Sequence, residues 1–99
     1  MAKYKIIFSA GLDAMMLRHA NFLSRVSLPA VKRFRTGFSD IVKRISKNPY
    51  QFPPYENQAF PSGAYRKALF AKWYQVVFCV DGDTVYLEAV VDGRQTDKV

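Results

Sequence analysis

At 99 residues, 49% hydrophobic and 23% charged, the chain is sized for one domain spanning residues 1–99, and it is too apolar for global disorder. Its 15 Lys and Arg against 8 Asp and Glu leave a net charge of +7, which favours an acidic partner. A single cysteine excludes an internal disulfide, the lack of any Cys/His cluster excludes a structural zinc site, and no apolar run nears the roughly 20 residues of a membrane span.

The charge is unevenly spread. Residues 1–50 hold ten Lys/Arg against Asp13 and Asp40, a balance of +8, whereas residues 51–99 hold five against six acids, a balance of −1. Nucleic acid and an acidic protein segment are both fitting partners for such a field, and charge alone does not separate them. Lys3 and Lys5 interrupt any secretory apolar stretch. The expected compartment is the cytoplasm.

Lys3 to Phe8 alternates, with Tyr4, Ile6 and Phe8 on one side, and reads as a first strand. Ser9 is placed to cap the helix that follows, with Asp13 near its N-terminus. That helix is expected over about Leu12 to Val26, on a stripe of Leu12, Met15, Met16, His19, Phe22, Leu23 and Val26. His19 is the only histidine. No Ser, Asp or Cys stands at a telling distance from it, so helix packing with one ring nitrogen satisfied is its ordinary reading, ahead of a catalytic base.

Ser27-Leu28-Pro29 is a second helix start. Val31, Phe34, Phe38, Ile41, Val42 and Ile45 form its apolar stripe. The short join predicts an antiparallel helical hairpin. Lys32, Arg33, Arg35, Lys43, Arg44 and Lys47 populate its other faces, as a solvated surface or an acid-binding one. Asn48-Pro49 stops the helix. From Asn48 to Ser62, four prolines deny both helix and central strand. The aromatics Tyr50, Phe52, Tyr55 and Phe60 favour packing of this segment over the core.

Three strands follow. Tyr65 to Phe70 is joined to Trp73–Val80 across Ala71-Lys72. Asp81-Gly82-Asp83 then supplies hairpin chemistry before Thr84 to Val91. Alternation assigns Leu69, Val76, Phe78, Val85, Leu87, Ala89 and Val91 to the helix side, with Lys67, Tyr65 and Tyr74. It sends Arg66, Ala68, Phe70, Gln75, Val77, Tyr86 and Glu88 to the opposite, open side. Cys79 reads as a small half-buried hydrophobe rather than a reactive thiol. The expected fold is α+β, in the order β-α-α-β-β-β, with the hairpin on one face of a small, mainly antiparallel sheet.

The order Tyr65-Arg66, Trp73-Tyr74-Gln75-Val76-Val77-Phe78, Asp83-Thr84-Val85-Tyr86 and Val90-Val91-Asp92-Gly93-Arg94-Gln95 resembles the RelE/ParE superfamily of type II toxin–antitoxin toxins. It is similar above all to a ParE-like branch ending in VVD-x-RQ, and Lys3 to Ser9 with the two helices also fits. The resemblance implies a growth inhibitor without cofactor or metal, neutralised by an acidic antitoxin encoded nearby. DNA gyrase is the implied target of a ParE-like protein, and ribosome-bound mRNA that of a RelE-like nuclease.

RelE-like nucleases need a base, an acid and cations around a scissile phosphate on the open face. Arg66 keeps one of these positions. Ala68 stands where a lysine is expected, Gln75 where an arginine is expected, and Gln95 follows Arg94 where another is expected. Arg66, Lys67, Lys72, Tyr74 and Arg94 are therefore the candidates for a reduced catalytic set. Arg66, Lys72, Gln75, Arg94 and Gln95 are candidates for contact with the target or nucleic acid. The depletion favours ParE-like inhibition by protein contact. A basic binding module without toxicity is a further reading of the same fold.

Overall fold

Ser27 begins the longest helix as its sequence dictates. Its Oγ accepts the Ala30 N–H at 3.0 Å, and Pro29 sits in the first turn. In the computed structural model, which describes residues 3–56 and 63–94, this helix runs Leu28–Lys47. It is α2, preceded by β1 (Lys5–Phe8) and α1 (Leu12–Ser24). A 3₁₀ turn at Pro49–Gln51 follows, then β2 (Arg66–Phe70), β3 (Tyr74–Asp81) and β4 (Thr84–Asp92). The expected order of elements is the observed one.

The strands begin or end within two residues of expectation, and α1 departs from it in its last turn and in its cap. Helix α1 stops at Ser24 because Val26 N–H turns back to Leu23 O at 2.9 Å, tightening the last turn before Ser27. Ser9 does not cap α1. Its hydroxyl donates instead to Glu88 Oε1 at 2.9 Å, and Gly11, at φ 89°, takes the cap position with no side-chain acceptor.

The sheet order is β1-β4-β3-β2, with β1 parallel to β4 and the other pairs antiparallel. The helical hairpin makes the crossover that a parallel pair requires. Its apolar stripe buries Leu12 and Leu23 from α1, and Phe34, Ile41 and Ile45 from α2, against one sheet face. Val26 and Phe22, expected on that stripe, are 65% and 53% exposed.

The expected assignment of side chains to faces fails on β2. Ala68 and Phe70 are buried under the helices, and Leu69 is 57% exposed. The cause is one residue of turn. Phe70 pairs with Tyr74 rather than with Trp73, so the connection is Ala71-Lys72-Trp73, with Trp73 N–H closing onto Ala71 O. A single-residue slip inverts every side chain of a strand. Arg66 therefore lies on the helix side, while Tyr65 and Lys67 go to the open side.

A second inversion comes from a bulge in β4. Val77 pairs with Ala89 but Phe78 pairs with Leu87, leaving Glu88 as the extra residue. Val85 and Leu87 face the helices as expected. Beyond the bulge Val90 does so at 2% exposure, in place of Ala89 and Val91. The proline-rich segment packs on the core as expected through Phe52, whereas Tyr55 is buried apart from that core and Tyr50 is exposed. Phe60 lies outside the described residues.

The β2 register is open to test. Ala68→Leu should cost about 1–3 kcal/mol by overpacking, and Leu69→Ala should stay within about 0.5 kcal/mol. Urea denaturation of the two variants ranks them, and the reverse order would restore the two-residue turn.

Candidate functional site

The open face is built from the strand residues that alternate away from the helices. β2 contributes Lys67 and Leu69, paired with Val77 and Gln75 of β3. Cys79 pairs with Tyr86, and Ile7 of β1 lies opposite Tyr86 on its other side. Val77 is fully buried within it, so this face is covered at its centre, while Leu69 and Ile7 toward its edges are exposed.

Glu88 stands within it. Placed by the bulge, its carboxylate accepts from Ser9 Oγ at 2.9 Å and lies 3.9 Å from Cys79 Sγ. Burial, then the Glu88 charge, push the Cys79 thiol up, so this cysteine is a poor nucleophile. The Tyr65 phenol is raised as well, by loss of water and then by the charges of Glu88 and Cys79. The face thus presents a carboxylate among hydroxyls and a protonated thiol. That arrangement repels a phosphate.

Arg66, the retained nuclease position, is elsewhere. From the helix side its Nη1 donates to Phe52 O at 2.7 Å, and its guanidinium lies 5.1 Å from the Tyr50 ring centroid. Arg44 of α2 lies over Phe52 at 5.5 Å. These arginines fasten the proline-rich segment to the domain. Lys67 and Gln75 reach a depression of about 430 Å³ shared with Leu69, Phe52, Pro53 and Arg44.

Arg94 belongs to a third group. It grips Asp92 through Nε and Nη2, at 3.1 and 2.9 Å, and its guanidinium lies 4.0 Å from the Trp73 ring centroid. Gly93 makes this corner possible. Its N–H donates to Trp73 O at 2.7 Å, and a Cβ there would come within 2.6 Å of that oxygen. Asp92 is held below the usual carboxylate range, first by the Arg94 side chain and further by the Arg94 N–H and charge and by His19, with burial opposing.

Tyr74 is 1% exposed beneath the helices, and burial raises its phenol above the ordinary value. Neither its hydroxyl nor the neighbouring Trp73 Nε1 has a full hydrogen bond. Tyr74 is a core residue. His19 takes the packing role: Nε2 lies 2.9 Å from Val90 O, a hydrogen bond that places the proton on Nε2, and the ring meets Tyr74 edge-on at 5.1 Å.

Of the expected site residues, then, Lys67 and Gln75 share the open side. Arg66 is on the helix side, Tyr74 is in the core, and Lys72 is exposed in the β2–β3 turn. Arg94 is beyond the far end of β2, roughly 13 Å of strand from Arg66. Gln95 lies outside the described residues. The structure does not bring Arg66, Tyr74 and Arg94 around one point. Glu88 and Ser9 were legible as polar residues but not as partners, since only a bulge in β4 and a parallel β1 bring them together.

No family model matches the sequence, and no curated protein matches it. Among solved structures, the chain is similar to one described as the chromosomal ParDE TA system from P. aeruginosa. The TM-score is 0.57 at 16% identity, over 90% of this chain and 95% of that one. At this identity the likeness establishes the fold: two helices on a four-stranded mixed sheet, of the RelE/ParE kind.

Two outcomes follow from this geometry. Ala68→Lys, which restores the nuclease-like residue, should unfold the domain rather than create activity, because it buries an unpaired ammonium; circular dichroism reads this directly. The Asp92–Arg94 pair should stabilise the fold above the ordinary aspartate pKa of about 4. As pH falls through the lowered folded value, that contribution disappears. The stability gap between the native chain and Arg94→Ala should therefore narrow in acid, as read by urea melts with Trp73 fluorescence.

Proposed function

We propose that this RelE/ParE-like domain is the toxin of a type II toxin–antitoxin system, held inactive by an acidic antitoxin. We place it with the ParE-like inhibitors that act by protein contact, with DNA gyrase as target. The observation that carries this reading is the open face. Glu88 occupies it, and Arg66 and Arg94 are committed to Phe52, Tyr50, Asp92 and Trp73 instead of a shared phosphate. Stabilising the charge that develops in phosphodiester cleavage needs preorganised cations aimed at one place.

A ribosome-dependent nuclease is the competing reading. It draws support from the slip in β2, which carries Tyr65 and Lys67 to the open side beside Gln75. Lys67 and Gln75 share a depression with Arg44, two cations and an amide, but Arg66 and Arg94 are not directed into it.

Inducing the chain alone in bacteria separates the readings. Growth arrest with uncut transcripts, and inhibition of gyrase supercoiling by the purified chain, are the expected results. Transcript ends mapping to ribosome-bound codons, lost in Lys67→Ala, would establish the nuclease. Unimpaired growth would leave a non-toxic binding module. Co-expression of the adjacent acidic reading frame should restore growth and co-purify with the chain.

A further inference from the structure

Two buried donors beneath the helical hairpin have nothing to donate to. Tyr74 is 1% exposed, and among the described residues neither its hydroxyl nor Trp73 Nε1 makes a full hydrogen bond. The Trp73 Nε1–H approaches the phenol oxygen, but it is itself a donor, so the Tyr74 proton is left without an acceptor. Burial raises the phenol, which therefore keeps that proton at neutral pH. Buried polar groups are almost always paired, and these two call for an acceptor from outside the chain.

Both residues border a cavity of about 120 Å³ between the end of α1, the start of α2 and the β2–β3 turn. Its walls are apolar where Leu23, Ala30 and Phe34 meet it. Its rim carries Arg33 and Lys72, both exposed and neither in an ion pair among the described residues. The start of α2 adds the positive end of a helix dipole, with no acidic residue in the first turn to offset it. Among the described residues no acid borders the cavity. One water, at about 30 Å³, would satisfy the donors and leave most of this space, and both cations, unused. An apolar cavity of about 150 Å³ takes benzene, so this one has room for about six or seven non-hydrogen atoms.

We propose that this cavity binds a small branched-chain carboxylate. Its carboxylate accepts from the Tyr74 O–H and the Trp73 Nε1–H, with Arg33 and Lys72 closing over the charge. Its alkyl end lies on Leu23, Ala30 and Phe34. An inorganic anion would satisfy the donors but lose its water against apolar walls, and a neutral apolar molecule would fill the walls but leave the donors unpaired. A ligand with one charged and one apolar end uses both. The site stands independently of the toxin reading, since Glu88 and the open face contribute nothing to it.

Isovalerate is the probe, and Trp73, the only tryptophan, is the reporter. Titration of the full chain at fixed ionic strength should change Trp73 fluorescence saturably, with half-saturation below about 10 mM, within reach of a ligand of so few atoms. The urea midpoint should rise with it. Isovaleramide, which keeps the shape and loses the charge, and inorganic phosphate should each bind at least about tenfold more weakly. Tyr74→Phe keeps the ring in the core. It should fold at least as stably as the native chain, because the lost hydroxyl had no acceptor, and bind isovalerate at least about tenfold more weakly. Arg33→Ala/Lys72→Ala, two exposed changes, should weaken binding to a similar degree, whereas Lys43→Ala, farther along α2, should bind as the native chain does.

An equal response to phosphate would mark a plain anion site, and an equal response to isovaleramide a cavity indifferent to charge; either overturns the assignment. So would undiminished binding in Tyr74→Phe. Failure of isovalerate to saturate would leave water as the partner of the two donors and also overturns it. Should Tyr74→Phe lose its fold, the paired change at Arg33 and Lys72 carries the same test.

Discussion

Tyr74 fixes the register on which the rest of the structure depends. Its ring lies 4.8 Å from Phe34, 5.1 Å from His19 and 5.9 Å from Phe70, joining both helices to β2 and β3. Its hydroxyl finds no full partner, a cost that apolar packing offsets. With Tyr74 turned inward opposite Phe70, Ala68 must follow it under α2 and Lys67 and Leu69 must face out. The same choice sends Arg66 to the helix side. The chemistry available on the open face is thus decided by the packing of an aromatic core residue.

Charge then divides the molecule. The helices hold most of the excess cations on their exposed faces, and the groove beside β1 gathers Lys3, Lys43 and Lys47. The open face holds Glu88, Tyr65 and Tyr86 with Lys67 toward one side. A polyanion is drawn to the helix and β1 sides of such a domain and not to the middle of its open face. A protein partner with mixed surface suits the open face better, and this agrees with inhibition by contact.

The fold was legible because each element carries its own signal. Ser27 and Pro29 start α2, Asn48-Pro49 ends it, and Gly82, at φ 63°, turns the last hairpin. The faces of the strands were not. Nothing in Ala71-Lys72-Trp73 announces a three-residue turn: it contains no glycine, yet Ala71 and Lys72 take φ of 47° and 81°. Such values are costly for residues with a Cβ and persist only where packing over-determines them. The β4 bulge was equally silent, since Glu88 at the site of the slip reads as one more outward polar residue. Both irregularities act on parity, and parity carries the functional assignment, so a correct fold came with a scattered candidate site. The partners of β1 were also beyond sequence reading, because alternation within a strand does not say which neighbour it joins.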